Sequence, residues 1–180
     1  MESITRNIVV KGFPGVGKTS IIQQFVDFEF EDDYLPTIGG KFFTDFEMND
    51  QNYDLKILDT AGEYNHAVVE PSYNMSIHGY ILVYSITSRL SFETVKIIRE
   101  NIVKNTGIDD IPIILVGNKC DEYNRVVFFE EGQLLASNWN ATYVEASAKD
   151  NINIYDIFYD IVAKTNEKIV NKKENISIIC

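Results

Sequence analysis

Gly12-Phe13-Pro14-Gly15-Val16-Gly17-Lys18-Thr19 fits the pattern G-x-x-x-x-G-K-[ST], and what lies on either side decides its meaning. Ile8-Val9-Val10 before it is an apolar run of strand type, and Ile21, Ile22, Phe25 and Val26 after it recur at helical spacing. Strand, glycine-rich turn and helix in that order make a phosphate cradle. Glycines let backbone N–H groups turn inward, and the helix adds the positive end of its dipole. Lys18 reaches the β- and γ-phosphates, and the Thr19 hydroxyl holds Mg²⁺. A glycine-rich turn matching the pattern by chance would have no need of both flanks.

Composition narrows the setting. The chain has 180 residues, 45% of them hydrophobic, which suits one domain with a substantial core. Its 27 Asp and Glu against 16 Lys and Arg give a formal net charge of −11, so nucleic acid is excluded as a partner. The two cysteines, Cys120 and Cys180, make no disulfide framework, which points to a reducing compartment. Residues 1–7 lack the apolar stretch of a signal peptide, and no apolar run approaches membrane-spanning length. A soluble, cytoplasmic, monomeric protein is expected, peripheral to the cytoplasmic face of a membrane only if its tail carries a lipid.

Beyond the cradle, residues 27–40 turn acidic and aromatic and end in Tyr34-Leu35-Pro36-Thr37-Ile38-Gly39-Gly40, a long loop with neither helical nor strand period. Residues 42–48 and 53–58 are strand-like about a polar Asn49-Asp50-Gln51-Asn52 turn, hence a hairpin. Residues 63–78 are polar and irregular around Pro71, a second loop with at most a short helix. Tyr80-Ile81-Leu82-Val83-Tyr84 and Ile113-Ile114-Leu115-Val116 read as buried strands. Between them Phe92, Val95, Ile98 and Ile102 mark a helix. Leu134, Leu135 and Trp139 suit a further helix, Thr142-Tyr143-Val144 a strand, and Ile154, Ile157, Phe158, Ile161 and Val162 a last helix.

The alternation predicts an α/β fold: a six-stranded, mostly parallel sheet with one antiparallel strand, helices on both faces, and ligand loops at the strands' carboxyl ends. After Lys164 the polar, weakly periodic sequence predicts a frayed tail, so the domain is placed at residues 1–168 and a flexible tail at 169–180. His66 and His78, with no second ligand at metal spacing, read as loop residues, Trp139 as core, and most aromatics as core filling.

Two further motifs carry chemistry. Asp59-Thr60-Ala61-Gly62 ends a strand, where a carboxylate can meet a metal and a glycine can bring backbone N–H to a phosphate. Asn118-Lys119-Cys120-Asp121 follows another strand, and there a carboxylate can accept hydrogen bonds from N1 and the exocyclic amine of guanine, a donor pair adenine lacks. By itself the second motif is an exposed turn; with the cradle and Asp59-Thr60-Ala61-Gly62 it predicts a guanine-nucleotide site.

With Thr37 and Glu145-Ala146-Ser147-Ala148-Lys149 added, the five motifs stand in the order found in small GTPases of the Ras superfamily, which residues 7–164 resemble. Gly79-Tyr80-Ile81-Leu82-Val83-Tyr84-Ser85-Ile86-Thr87-Ser88 and Glu130-Glu131-Gly132 are most similar to the Rheb branch. The resemblance implies GTP or GDP with Mg²⁺, the metal held by Thr19, Thr37 and Asp59. It makes Lys18, Thr37, Gly62 and Glu63 the catalytic set, Thr37 and Gly62 also sensing the γ-phosphate. Tyr34 would close over the phosphates, Phe30 pack edge-on to the guanine, Lys119 lie along its face, Asp121 read its donors, and the Ala148 N–H bind its carbonyl. Gly15, Val16, Gly17, Ser20, Glu31, Asn118, Ser147 and Lys149 complete the nucleotide set. Residues 32–40 and 62–74 would meet effector, exchange factor and activating protein, with a kinase complex of mTOR type downstream.

Three positions depart from the resemblance. Pro14 stands where Ras proteins carry glycine and Rheb proteins arginine. Glu63 replaces the water-orienting glutamine, which bears on hydrolysis and not on binding. A prenylated C-a-a-X ending needs cysteine where Ser177 stands, and Cys180 is terminal instead. A Ras- or Rap-like signalling GTPase and a nucleotide-holding module that does not hydrolyse are the competing readings. A small-molecule P-loop kinase would need a lid or insertion that nothing in the chain suggests.

Overall fold

The computed structural model describes residues 3–31, 39–62 and 76–177, with side chains to residue 170. Among these, six strands form one sheet in the order β2-β3-β1-β4-β5-β6. The strands are β1 (Ile4–Gly12), β2 (Gly40–Met48), β3 (Gln51–Asp59), β4 (Gly79–Ser85), β5 (Ile113–Asn118) and β6 (Thr142–Ala146). The helices are α1 (Lys18–Val26), α2 (Arg89–Thr106), α3 (Phe129–Asn138) and α4 (Ile154–Ser177). β2 runs antiparallel to β3, and every other neighbouring pair is parallel.

The hairpin turn is tighter than the four polar residues suggest. Met48 pairs with Gln51, leaving Asn49 and Asp50, both at positive φ (52° and 60°). A two-residue connection of the type I′ kind needs that at both positions, and Asn and Asp tolerate it best after glycine.

Strand alternation divides the core in two. Ile8, Val10, Ile81, Val83, Ile114 and Val116 face α1 and α4, whereas Val9, Tyr80, Leu82, Tyr84, Ile113 and Leu115 face α2 and α3. All seven residues of β4 are buried, as a central strand covered on both sides requires. Phe25 of α1 stacks on Phe158 of α4 with centroids 3.8 Å apart and closes the first core. In α3 the apolar face is narrower than expected: Ala136 is buried but Leu134 is 64% exposed, and Trp139, which packs against the second core, caps the helix from just past its end.

Where weak periodicity predicts fraying, α4 continues as helix to Ser177. The side chains past Lys164 explain it. Thr165 is buried with its hydroxyl on the Val162 carbonyl, and the Asn166 amide accepts from Arg6 Nη2 (2.6 Å) and donates to the Tyr53 hydroxyl (2.8 Å). A polar residue anchored by polar partners adds nothing to a hydrophobic period, so the pattern falls silent where the packing goes on. No helix among the described residues is long and apolar enough to cross a membrane.

Candidate functional site

The parallel registers bring the motifs to one edge of the sheet. Gly12 lies opposite Val83, Asp59 opposite Val10, and Ser85, Asn118 and Ala146 opposite one another, so the loops after β1, β3, β5 and β6 open on the same side. Thr37, Tyr34 and Glu63, together with most of the two long loops, lie outside the described residues.

In the cradle, Gly17 has φ of 95°, and a Cβ there would stand 2.3 Å from Asn118 Nδ2. Only glycine meets both conditions. Gly15 is likewise at positive φ. The buried Lys18 ammonium donates to the carbonyls of Gly12 (3.2 Å) and Phe13 (3.1 Å), which draws the loop around it. Ser20 follows, half-buried in the first turn of α1, whose N–H groups open onto the loop.

At the metal end, Thr19 Oγ1 donates to Asp59 Oδ2 at 2.6 Å. Asp59 is 2% exposed and its Oδ1 has no hydrogen-bond partner. Burial raises the Asp59 carboxyl above the usual range; the Thr19 hydroxyl, Lys18 and the Thr60 N–H pull the other way. A buried carboxylate oxygen with an open lone pair beside a hydroxyl is a hard-oxygen donor set, and it fits Mg²⁺. The Thr60 hydroxyl donates to the Val10 carbonyl (2.8 Å) and ties this end to β1. Gly62 packs against the cradle, where a Cβ would meet Pro14 Cα at 2.4 Å.

At the base end one amide joins three loops. Asn118 Nδ2 donates to the Val16 carbonyl (2.8 Å), and Asn118 Oδ1 accepts from the Ala148 N–H (3.2 Å). That N–H, expected on the guanine carbonyl, is therefore engaged with Asn118 here. The Ala148 carbonyl accepts from Gln24 Nε2 at 2.9 Å, so α1 grips the same loop. Lys119 takes positive φ (68°) as the chain leaves β5, and Asp121 beyond it is half-buried. The buried Ser147 hydroxyl accepts from the Asp150 N–H (2.9 Å), while Lys149 is exposed. Phe30 packs on the first core and Glu31 is exposed. Burial pushes the Cys120 thiol up, with Glu145 and Asp121 adding to the effect, so it is held as thiol.

Sequence reasoning singled out neither Gln24 nor Arg125, and named Glu145 only as part of a motif, with no role of its own. Gln24 lies three residues after Ile21, on the buried side of α1, and a glutamine at an apolar position of a helix is the signal that would have found it. Arg125 holds both Glu145 carboxylate oxygens, at 2.6 and 2.8 Å, and nothing in their spacing along the chain announces the pair. Among the described residues no cluster of three His, Cys, Asp or Glu forms another metal site.

Comparison with known proteins accounts for this arrangement. The Ras family profile matches residues 7–167. The GTP-binding protein Rheb of Homo sapiens is 42% identical over 167 residues, covering 92% of this chain and 91% of that protein. The Rheb homolog of Drosophila melanogaster is 41% identical over 175 residues, covering 97% and 96%. The GTP-binding protein rhb1 of Schizosaccharomyces pombe is 40% identical over 165 residues, covering 91% and 89%. Matched by the family profile and by these relatives over nearly its whole length, this protein belongs to the Ras family of small GTPases, on its Rheb branch.

Proposed function

We propose that nucleotide state in this GTPase is read at residues 32–40 and 62–74 by effector, exchange factor and activating protein, and that a kinase complex of mTOR type lies downstream. Asp121 accepts from guanine N1 and the exocyclic amine, with Lys119 along the base face and Phe30 at its edge. The cradle and Lys18 hold the phosphates. Thr19 and Asp59 hold Mg²⁺, joined by Thr37 when the γ-phosphate is present. Bound there, the metal neutralises charge on the β- and γ-phosphate oxygens. Thr37 and the Gly62 N–H meet the γ-phosphate, so both long loops change state when it leaves. Contact with the cytoplasmic face of a membrane belongs to the same reading only if the tail carries a lipid.

One observation carries the assignment: the Asn118 side chain is bonded at once to the phosphate loop, through the Val16 carbonyl, and to the second base loop, through the Ala148 N–H. Base and phosphate subsites are thereby set at one spacing, as a single mononucleotide needs. The experiment is amide hydrogen exchange on protein loaded with GDP or with a non-hydrolysable GTP analogue. Exchange in residues 32–40 and 63–74 slows with the analogue, and Thr37→Ala abolishes the difference in the first segment. Equal exchange in the two loaded states of the parent would refute the switch assignment.

A further inference from the structure

Behind the base loops runs a line of polar side chains to which none of the nucleotide roles above is assigned. Tyr84, fully buried on β4, places its hydroxyl 2.7 Å from that of Tyr143 on β6. Tyr143 donates to Glu145 Oε1 at 2.9 Å, and Arg125 Nη1 and Nη2 close on the two carboxylate oxygens. Each phenol has one proton. Since that of Tyr143 is committed to Glu145, Tyr84 must be the donor to Tyr143, and every donor in the line points toward one carboxylate. The ionised end polarises the bonds leading to it and strengthens them. Burial pushes the Tyr84 hydroxyl up to about 12 and raises that of Tyr143 as well, so both remain protonated donors.

The line touches the guanine-reading segments at three points. Arg125 also donates to the Val127 carbonyl (3.1 Å), and the Val126 and Val127 N–H groups both reach the Ile86 carbonyl, which fixes the chain returning from Asp121. Glu145 is two residues ahead of Ser147, and its carbonyl accepts from Asn153 Nδ2 at 2.7 Å. The two phenol oxygens fill the space over Gly117, where a Cβ would lie 2.8 and 2.9 Å from them, one residue before Asn118.

We propose that Tyr84 and Tyr143 are positioning residues for guanine recognition: acting through Glu145 and Arg125, their hydrogen bonds hold the loops at 118–121 and 147–149 at a fixed separation. They thereby set how long the nucleotide stays and how strictly its exocyclic amine is read. The inference rests on the reading of Asp121 as the base-reading carboxylate. It also predicts an order among variants that simple loosening would not produce. Tyr143→Phe leaves the Tyr84 O–H buried with no acceptor, whereas Tyr84→Phe removes only a donor, and the double variant removes the stranded group altogether.

The experiment measures release of fluorescently labelled GDP and IDP from the purified full chain, with Mg²⁺ and excess unlabelled nucleotide. IDP lacks the exocyclic amine and so reports on its reading alone. Tyr143→Phe speeds GDP release by about tenfold, the order expected when a buried donor loses its partner. It also narrows the preference for GDP over IDP by about threefold. Tyr84→Phe does less, and the double variant falls between the parent and Tyr143→Phe. If Tyr143→Phe does not fold, the double variant is compared with the parent, and faster release with weaker preference supports the role. Release within about twofold of the parent overturns it. So does faster release with an unchanged GDP to IDP preference, which is general loosening, or a double variant worse than both singles combined. Asp121→Asn, assayed with XDP, keeps the two readings apart: if it gains no xanthine preference, the error lies in the base-loop assignment, and the positioning role falls with it.

Discussion

Pro14 and Gly62 hold each other. The ring and backbone of Pro14 stand within 2.5 Å of where any Cβ on Gly62 would be, so a departure in the phosphate loop has become a constraint on the loop that follows β3. Glu63 comes next in the chain. A carboxylate can take a proton from an attacking water, but unlike glutamine it cannot donate an amide hydrogen to the γ-phosphate. Two unit charges about 4 Å apart at an effective dielectric near 20 repel by roughly 4 kcal/mol, enough to turn Glu63 away from the phosphate. Intrinsic hydrolysis is therefore expected to be slow and indifferent to Glu63. In single-turnover assays Glu63→Ala should match the parent within about threefold; a loss of about tenfold, near 1.4 kcal/mol of barrier, would show Glu63 at work in catalysis. At this scale the sequence was legible as far as placement goes: the structure brings Asp59 against the Thr19 hydroxyl and Asn118 against the Val16 carbonyl, so motifs far apart in the chain meet at the phosphate loop. The engagement of the Ala148 N–H with Asn118 was not legible, because a backbone donor carries no letter of its own.

Among the elements, β1 is flanked on one side by a join that ordinary strand pairing does not complete. Before β4 begins, the His78 N–H donates to the Asn7 carbonyl, the Asn7 N–H donates to His78 Nδ1 (2.8 Å), and Asn7 Nδ2 donates to the Ser76 carbonyl (2.8 Å). An imidazole nitrogen thus stands in for a ladder carbonyl, and it accepts only when neutral. Burial lowers the His78 pKa, and the Arg6 guanidinium lowers it further. The folded value is depressed, so this contribution is complete above the ordinary value of 6.5 and is lost as pH falls below it. Thermal midpoints measured between about pH 7.5 and 5.5 should drop more steeply for the parent than for His78→Asn. Parallel curves would remove the histidine from the account. Hairpin, cradle helix and central strands were legible because their periods are clean. The extent of α4 was not, because Asn166 is held by a guanidinium and a phenol, and hydropathy registers neither.

For the whole molecule, the sheet separates two cores, and the one under α1 and α4 closes on Phe158, which is fully buried. Phe158→Ala should cost about 3–5 kcal/mol, a large share of the 5–15 kcal/mol that a domain of this size has available. GDP at about a thousand times its Kd should return roughly 4 kcal/mol. Denaturation of parent and variant with and without excess GDP measures both figures; a loss under about 1 kcal/mol would mean that the site collapses without a cavity. The fold class was legible as alternation, but the placement of polar lines such as Tyr84 to Arg125 was not, since it depends on which strands become neighbours. α4 leaves the nucleotide edge at Asn153, which bonds the Glu145 carbonyl, and reaches the opposite pole at Arg6 and Tyr53. Its backbone continues from Asn166 to Ser177, eleven residues or roughly 16 Å of helix. A label or handle placed on α4 beyond Asn166 therefore lies at the pole opposite the nucleotide loops, on a stretch that Lys168, bonded to Asp110, still ties to the domain.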